Sequence, residues 1–127
     1  RFLVVDSSSK LNFHLASVLF SNFLVTVSDF SLKILQDVPS SQTELFNIFQ
    51  PLISSTLLQI KNRGTHEAIT GPASRGDLET ISKHFKLLQK QDSEIFEIYR
   101  ILTKKILDLQ KIPENRQNMI LDYLKSL

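Results

Sequence analysis

Apolar residues recur at helical spacing along most of the chain. Across residues 11–36 almost every turn holds an apolar side chain, and neither Gly nor Pro occurs. This pattern predicts one long, largely buried helix. Ser41, with Glu44 three residues later, matches a capping box and predicts a second helix to about position 61. Pro51 marks a place where that helix kinks or splits.

Three further helices are predicted in the second half of the chain. Asp77 caps the first, Asp92 or Ser93 begins the second, and Pro113 opens the third in its first turn. The apolar stripes expected in the core are Leu78, Ile81, Phe85 and Leu88, followed by Ile95, Ile98, Tyr99, Leu102, Ile106 and Leu109. The fold predicted beyond the first few residues is therefore all-α.

The first residues are the exception, since Phe2–Val5 has the β-branched and aromatic composition of a strand. A lone strand is not stable without partners, and the chain begins at Arg1 rather than Met. We therefore expect residues 1–9 to be a remnant strand and linker from a missing N-terminal domain. Residues 10–127 would then form a single helical domain.

Composition excludes several classes of function. A formal net charge of +2 is too small to indicate nucleic acid or an anionic membrane as the main partner. The absence of cysteine excludes disulfides and thiolate metal sites, and it fits a reducing, cytoplasmic location. Polar residues interrupt the apolar stretch 15–35, which predicts no membrane-spanning segment. The histidines lack metal-ligand spacing, so no metal is expected.

A polar stripe follows the first predicted helix. At about 100° per residue, His14, Ser21, Asn22 and Asp29 fall within about 100° of one another, although Val18 and Val25 share that side. Such a stripe either meets complementary groups in a helix interface or lines a wet cleft. In a cleft, His14 could donate a proton while Asn22 orients a carbonyl.

The second candidate site is the segment from Thr70 to Asp77. Gly71 permits a tight turn, and Gly76 lets the backbone approach another group closely just before a helix N-terminus. Arg75 could clamp a carboxylate or phosphate. The alternative is a helix cap at Asp77 beside a solvated Arg75. The Arg-Gly-Asp tripeptide as an adhesive ligand is the weakest interpretation, because the aspartate is better used as a cap.

Two motifs together resemble a known family. The first is HLASVLFSN, which reads His14-x7-Asn22, and the second is TGPASRGDLETISKHFKLL from Thr70 to Leu88, which contains His84. They are similar to the C-terminal helical domain, of unknown function, of oxidoreductases that begin with a Rossmann-like NAD(P) domain. The resemblance covers about residues 10–109.

The resemblance implies a fold and a set of roles. The fold would be a helical bundle around a long central helix, like the C-terminal domain of 6-phosphogluconate dehydrogenase and its relatives, which often dimerise through these helices. His14 and Asn22 would be catalytic, and the substrate would be bound by Thr70, Gly71, Arg75 and Asp77. The 6-phosphogluconate and ketopantoate enzymes have a Lys four residues before this Asn, whereas Val18 stands here. Their lysine mechanism therefore does not transfer.

Two functions are carried forward from the sequence. The first is the substrate-side and dimerisation domain of an NAD(P)-dependent oxidoreductase, inactive as an isolated chain. NADP or NAD would be bound mainly by the missing Rossmann-like domain, because this chain has no GxGxxG turn. The expected partners are that domain, a small-molecule substrate and a second copy of the chain. The alternative is a non-catalytic helical module that binds another protein.

Overall fold

The computed structural model describes residues 6–127, and every regular element within them is a helix. In chain order the helices are α1 (Lys10–Phe20), α2 (Asn22–Ile34), α3 (Gln42–Arg63), α4 (Thr65–Ala68), α5 (Pro72–Arg75), α6 (Leu78–Gln91), α7 (Ser93–Leu109) and α8 (Glu114–Ser126). The all-α prediction is confirmed. The strand predicted at Phe2–Val5 lies outside the described residues, so the remnant-strand assignment stays a prediction.

The chain divides into two compact units, the first ending at Asn47 and the second beginning at Ile48. In the first unit, α1 and α2 form a nearly continuous helical run. The Ser21 amide donates to the Ser17 carbonyl oxygen at 2.9 Å, and the Val25 amide donates to the Ser21 carbonyl oxygen at 3.1 Å. These bonds keep the helical pattern through the break, so one long helix describes residues 10–34 well.

The sequence-based expectation that this long helix is largely buried is wrong. No residue of α1 or α2 is buried, because the described part of the first unit holds too little additional chain to cover them. The run Lys10–Ile34 is also long and apolar enough to cross a membrane, with a mean hydropathy of 1.5 in its most apolar 18-residue window. The prediction that polar residues keep this stretch below the length and apolarity of a membrane span is therefore wrong.

The polar residues within the run interrupt its apolar character less than the sequence indicated. The Ser17 hydroxyl donates to the Phe13 carbonyl oxygen at 2.8 Å, and the Ser28 hydroxyl donates to the Leu24 carbonyl oxygen at 2.8 Å. Thr26 and Ser31 make the same kind of bond one turn back. A hydroxyl satisfied by its own helix is cheaper to place in apolar surroundings than a free one.

In the second unit, α6, α7 and α8 pack together around Phe85, whose side chain is completely buried. Its ring makes edge-to-face contacts with Phe96 and Tyr99, at 5.1 Å in each case, and with Tyr123 at 6.0 Å. The predicted core positions Ile81, Phe85 and Leu88 of α6 are all buried, while Leu78 is half-buried. The helical periodicity of α6 therefore identified its inner face.

The inner face of α7 is rotated from the one predicted. Ile95 is buried as expected, but Leu102 is 47% exposed and Thr103 is only 2% exposed. The buried residues of this helix are Ile95, Phe96, Thr103 and Leu107. A hydrogen bond between the Thr103 and Tyr99 side chains satisfies the threonine hydroxyl inside the core, which an apolar periodicity cannot register.

The predicted caps form. The Glu44 carboxylate accepts from the Ser41 amide at 2.8 Å, and the Glu44 amide donates to the Ser41 hydroxyl at 3.3 Å, which completes the capping box. Asp92 accepts from the first amides of α7. Helix α3 runs through Pro51 without ending, so the helix is not split there. Pro113 is the residue before α8 rather than a member of its first turn.

Candidate functional site

The long helical run of the first unit has two different sides. At about 100° per residue, the polar stripe of His14, Ser21, Asn22 and Asp29 lies opposite a group of large apolar side chains. We call this group the apolar face; its members, all exposed, are Phe13, Leu19, Phe20, Phe23, Leu24 and Val27. A single helix thus presents an uncovered apolar surface on one side and a histidine and an asparagine on the other.

His14 and Asn22, the two predicted catalytic residues, lie two turns apart along this run. Both side chains are exposed, and in the described residues neither makes a hydrogen bond through its side-chain atoms. Nothing in the described part of the first unit orients the imidazole of His14 or selects its tautomer. The catalytic roles of these residues therefore stay predictions.

The predicted substrate segment lies in the second unit, where it forms a tight turn and a single helical turn. Gly71 precedes α5 with φ +100° and ψ −175°, a conformation open only to glycine. At the other end Gly76 has φ +68°, its amide donates to Ala73, and the Asp77 amide donates to the Pro72 carbonyl oxygen at 2.9 Å. This pair of bonds is a Schellman motif, which ends a helix with a left-handed glycine.

The close approach predicted at Gly76 is made by another part of the same unit. A Cβ added to Gly76 would lie 2.9 Å from the Cβ of Arg116, a residue of α8. The Arg116 guanidinium also donates to the Arg75 carbonyl oxygen at 3.3 Å. The glycine therefore serves the packing of α8 against this turn. Sequence reasoning did not find Arg116, since it lies about 40 residues away and has no motif around it.

Asp77 caps α6 as predicted. Its Oδ1 accepts from the Thr80 amide at 3.0 Å, and its Oδ2 accepts from the Thr80 hydroxyl at 2.8 Å. The hydrogen bond from the Thr80 amide, with that from the hydroxyl, holds the pKa of the Asp77 carboxyl below its ordinary value. The positive charge of Arg75 acts in the same direction. Asp77 thus has a structural role, and its substrate role stays a prediction.

Arg75 and Thr70 are both exposed, and Gly71 is half-buried. In the part of the chain that the structure describes, the Arg75 guanidinium makes no hydrogen bond or ion pair. Its backbone is fixed by the Schellman motif and by Arg116, while its charged group is open to solvent. Such a group is available to a carboxylate or phosphate.

A second histidine site is present on α6 and α7. His84 Nδ1 lies 2.8 Å from the Tyr99 hydroxyl oxygen, and the two rings meet edge to face at 5.7 Å. Burial raises the pKa of Tyr99, and its hydrogen bond with Thr103 opposes that rise. The sequence had placed Tyr99 in the core and had given His84 no role of its own. No sequence signal joins two residues on different helices in this way.

The third histidine, His66, has a structural role in the second unit. Its Nδ1 lies 3.0 Å from the Leu109 carbonyl oxygen, and the Gln110 side chain donates to the His66 carbonyl oxygen at 2.6 Å. These bonds join α4 to the end of α7. Between the end of α3 and the beginning of α6, the chain forms the one-turn helices α4 and α5.

Two cavities lie away from the predicted site residues. One, of about 380 Å³ in the first unit, lies where the end of α2 meets the beginning of α3. The other, of about 430 Å³ in the second unit, lies between α7 and α8 and is lined by Arg100, Ile101, Lys104, Leu121, Leu124 and Lys125. The predicted site residues themselves fall into two sets, His14 with Asn22 in the first unit and Thr70 to Asp77 in the second.

These features define a class: an all-α chain with an uncovered apolar helix face and two exposed polar sites, one histidine-asparagine pair and one arginine-bearing glycine turn. The chain belongs to the family described as Domain of unknown function (DUF2520), whose profile matches residues 1–106. That range includes the polar stripe, the glycine turn, His84 and Tyr99. No curated protein and no solved structure matches the chain.

Proposed function

We propose that this chain is the substrate-side and dimerisation domain of an NAD(P)-dependent oxidoreductase located in the cytoplasm. The enzyme would transfer hydride to or from a small carbonyl/hydroxy or imine/amine substrate. NADP or NAD would be bound mainly by a Rossmann-like domain that precedes this chain, and the isolated chain would be inactive. The observation that carries the proposal is the placement of the polar stripe and the apolar face on opposite sides of one long helical run.

The apolar face supports the dimerisation part of the proposal. It exposes six large apolar side chains, with Phe20 73% exposed and Phe23 53% exposed. Monomeric soluble proteins rarely leave a contiguous apolar surface of this kind uncovered. A second copy of the same run, packed face to face about a twofold axis, would cover it with an equally apolar surface.

Covering the apolar face would leave the polar stripe directed away from the dimer contact. His14 and Asn22 would then face the cleft toward the nucleotide domain, where an imidazole and a carboxamide can hydrogen-bond a carbonyl oxygen. Arg75 would supply the charge that holds an anionic substrate. Val18 stands in the place of the lysine found in the 6-phosphogluconate enzymes and has no ionisable group. Lysine acid-base chemistry is therefore not part of the proposal.

The catalytic part is tested on the longer protein that includes the upstream domain. We expect it to bind NADPH or NADH in a fluorescence titration. We also expect Asn22→Ala and Arg75→Ala each to lower turnover by about tenfold or more, while circular dichroism shows unchanged folding. Asn47→Ala is the matched control, because Asn47 is an exposed asparagine of α3 that belongs to neither the polar stripe nor the apolar face. Turnover like that of the unchanged protein in both variants would remove these site assignments.

The dimerisation part is tested by sedimentation of the 127-residue chain. The unchanged chain should sediment at twice its mass of 14.6 kDa. Phe20→Glu, on the apolar face, should shift it to monomer, because a carboxylate cannot be buried unpaired in an apolar contact. Val25→Glu is the control, since Val25 is 68% exposed but lies with the polar stripe. A monomer in the unchanged chain would contradict the proposal, and cosedimentation of that monomer with phospholipid vesicles would identify a membrane surface instead.

The same apolar face favours one second candidate, a non-catalytic module that binds another protein. In that case the longer protein would bind neither NADPH nor NADH, and the chain would be monomeric until a partner helix covered Phe20 and its neighbours. Nucleotide binding separates the two functions, because only an oxidoreductase requires it.

A further inference from the structure

The three histidines of the chain stand in three different environments. His14 has no hydrogen-bond partner among the described residues, His66 faces a backbone carbonyl, and His84 faces a phenol. The partner of one ring nitrogen decides which nitrogen carries the proton in a neutral imidazole. The surroundings of each ring can therefore be used to assign its tautomer.

The His84 ring is held by a chain of two hydroxyls. The Thr103 side chain is buried in the core one turn after Tyr99 on α7, and it hydrogen-bonds the Tyr99 oxygen. A separation of 2.8 Å between His84 Nδ1 and the Tyr99 oxygen is in the range of a bond that a hydroxyl donates. The phenol has one proton, so when it is donated to His84 the Thr103 hydroxyl must be the donor in its bond with Tyr99.

The other nitrogen of the His84 ring is directed away from this chain of hydroxyls. If Nδ1 accepts from Tyr99, the proton of the neutral ring must be on Nε2. Among the described residues the only side-chain hydrogen bond of His84 is the one to Tyr99, and its side chain is exposed. Within residues 6–127 the Nε2–H group is thus a donor without a partner.

His84 also lies on the same side of α6 as the glycine turn. It comes seven residues after Asp77, which places it two turns along the helix, about 10 Å away, and rotated by only about 20°. Arg75 stands just before that helix, with its guanidinium exposed. Asp77 and His84 therefore lie on one face of α6, and Arg75 precedes that face by two residues.

We propose that Tyr99 and Thr103 are positioning residues that hold His84 in its Nε2–H tautomer, and that this group donates a hydrogen bond to the carbonyl oxygen of the substrate. This rests on the proposed function, and it adds His84 as a hydrogen-bond donor to the carbonyl, which the sequence analysis expected Asn22 to orient and His14 to protonate. A neutral imidazole in this role polarises the carbonyl without transferring a proton. A fixed tautomer keeps the proton on Nε2 whenever the ring is neutral.

Tautomers are measured by the ¹⁵N shifts of the imidazole nitrogens in the 127-residue chain, at a pH where all histidines are neutral. We expect His84 as the Nε2–H form alone. His66, whose Nδ1 must donate to the Leu109 carbonyl, should be the opposite tautomer, and His14 should show the mixture of a free imidazole. His66 and His84, whose Nδ1 atoms each face one partner, thus serve as internal references for each other.

The variant that tests positioning is Tyr99→Phe, which keeps the ring packed against Phe85 and removes only the hydroxyl. His84 should become a tautomer mixture while His66 stays unchanged. Thr103→Val should also make His84 a tautomer mixture. Thr103→Ser, which keeps a hydroxyl at this position, should leave His84 in the Nε2–H form alone. A His84 mixture in the unchanged chain, or the Nδ1–H form, would overturn the assignment.

The ligand part is tested with pyruvate, which carries both a carbonyl and a carboxylate. Titration to high millimolar concentration should move the His84 Nε2–H resonance, and this shift should be lost in His84→Asn and reduced in Arg75→Ala. An unmoved Nε2–H resonance would overturn the donor role. Failure of the proposed function is distinguishable, because it is the absence of NADPH and NADH binding by the longer protein, which leaves the tautomer assignment intact.

Discussion

Phe85 offers the sharpest test of how the second unit is held together. Its side chain is completely buried, and it touches Phe96 and Tyr99 on α7 and Tyr123 on α8 in three edge-to-face pairs. One ring thus connects α6, α7 and α8. The substitution Phe85→Ala removes that ring and leaves a cavity at the point where the helices meet.

The expected cost follows from the burial and the ring geometry. Truncating a fully buried Phe to Ala lowers the free energy of unfolding by about 3–5 kcal/mol. Phe85→Leu keeps most of the apolar volume and loses the three ring pairs, so a loss of about 1–2 kcal/mol is expected. The control is Leu87→Ala on the same helix, where the side chain is 48% exposed and the expected loss is less than about 1 kcal/mol.

Urea denaturation followed by far-ultraviolet circular dichroism measures these differences, because the described chain is mostly helical and the sequence has no Trp. Hydrogen exchange of the α6, α7 and α8 amides then assigns the loss to the second unit. Phe85→Leu keeps the test usable if Phe85→Ala does not fold. A loss below about 1 kcal/mol for Phe85→Ala, equal to that of Leu87→Ala, would refute the central position of this ring.

Three further predictions concern the same unit. Gly76→Ala should lower the free energy of unfolding by about 2 kcal/mol in urea denaturation, since a left-handed Ala costs about 1–2 kcal/mol and its Cβ would also press on Arg116. Asp77→Ala should be less stable than the unchanged chain near neutral pH; because the folded pKa of Asp77 is lowered from 3.8, thermal melts should show this gap shrinking as pH falls below that value. Thr103→Val should raise the pKa of Tyr99 further above 10.0 in an ultraviolet titration, and an unchanged titration would contradict the hydrogen bond.

The features that the sequence predicted well are local ones. The capping box at Ser41, the caps at Asp77 and Asp92 and the inner face of α6 each depend on residues within one or two turns. Local spacing determines which amides lack a partner at a helix end and which side chains share a face, so these features can be read without the tertiary structure.

The features that the sequence missed depend on contacts between distant residues. Arg116 reaches the turn at Gly76 from α8, and His84 meets Tyr99 from a different helix. Thr103 takes a core position because a tertiary neighbour satisfies its hydroxyl. Such contacts follow from how helices pack, and the periodicity of a single helix contains no information about them.

The exposure of the long helix was missed for a different reason. An apolar residue in almost every turn shows that a helix needs cover, but it does not show where that cover comes from. The described part of the first unit supplies no such cover, since no residue of α1 or α2 is buried. Phe20→Glu and Val25→Glu therefore test whether a second copy supplies that cover.

Within the glycine turn, the side chain of Arg75 has no structural role among the described contacts. Gly71 is required by its own backbone angles, Gly76 by a left-handed helix end against Arg116, and Asp77 caps α6. Each of these would be selected by folding alone. Arg75 is different: the turn fixes its backbone while its guanidinium, in the described residues, binds nothing. The charge of Arg75 is only a lesser cause of the lowered Asp77 pKa and is otherwise open to solvent, so we expect Arg75→Ala to change the stability little and to act mainly on ligand binding.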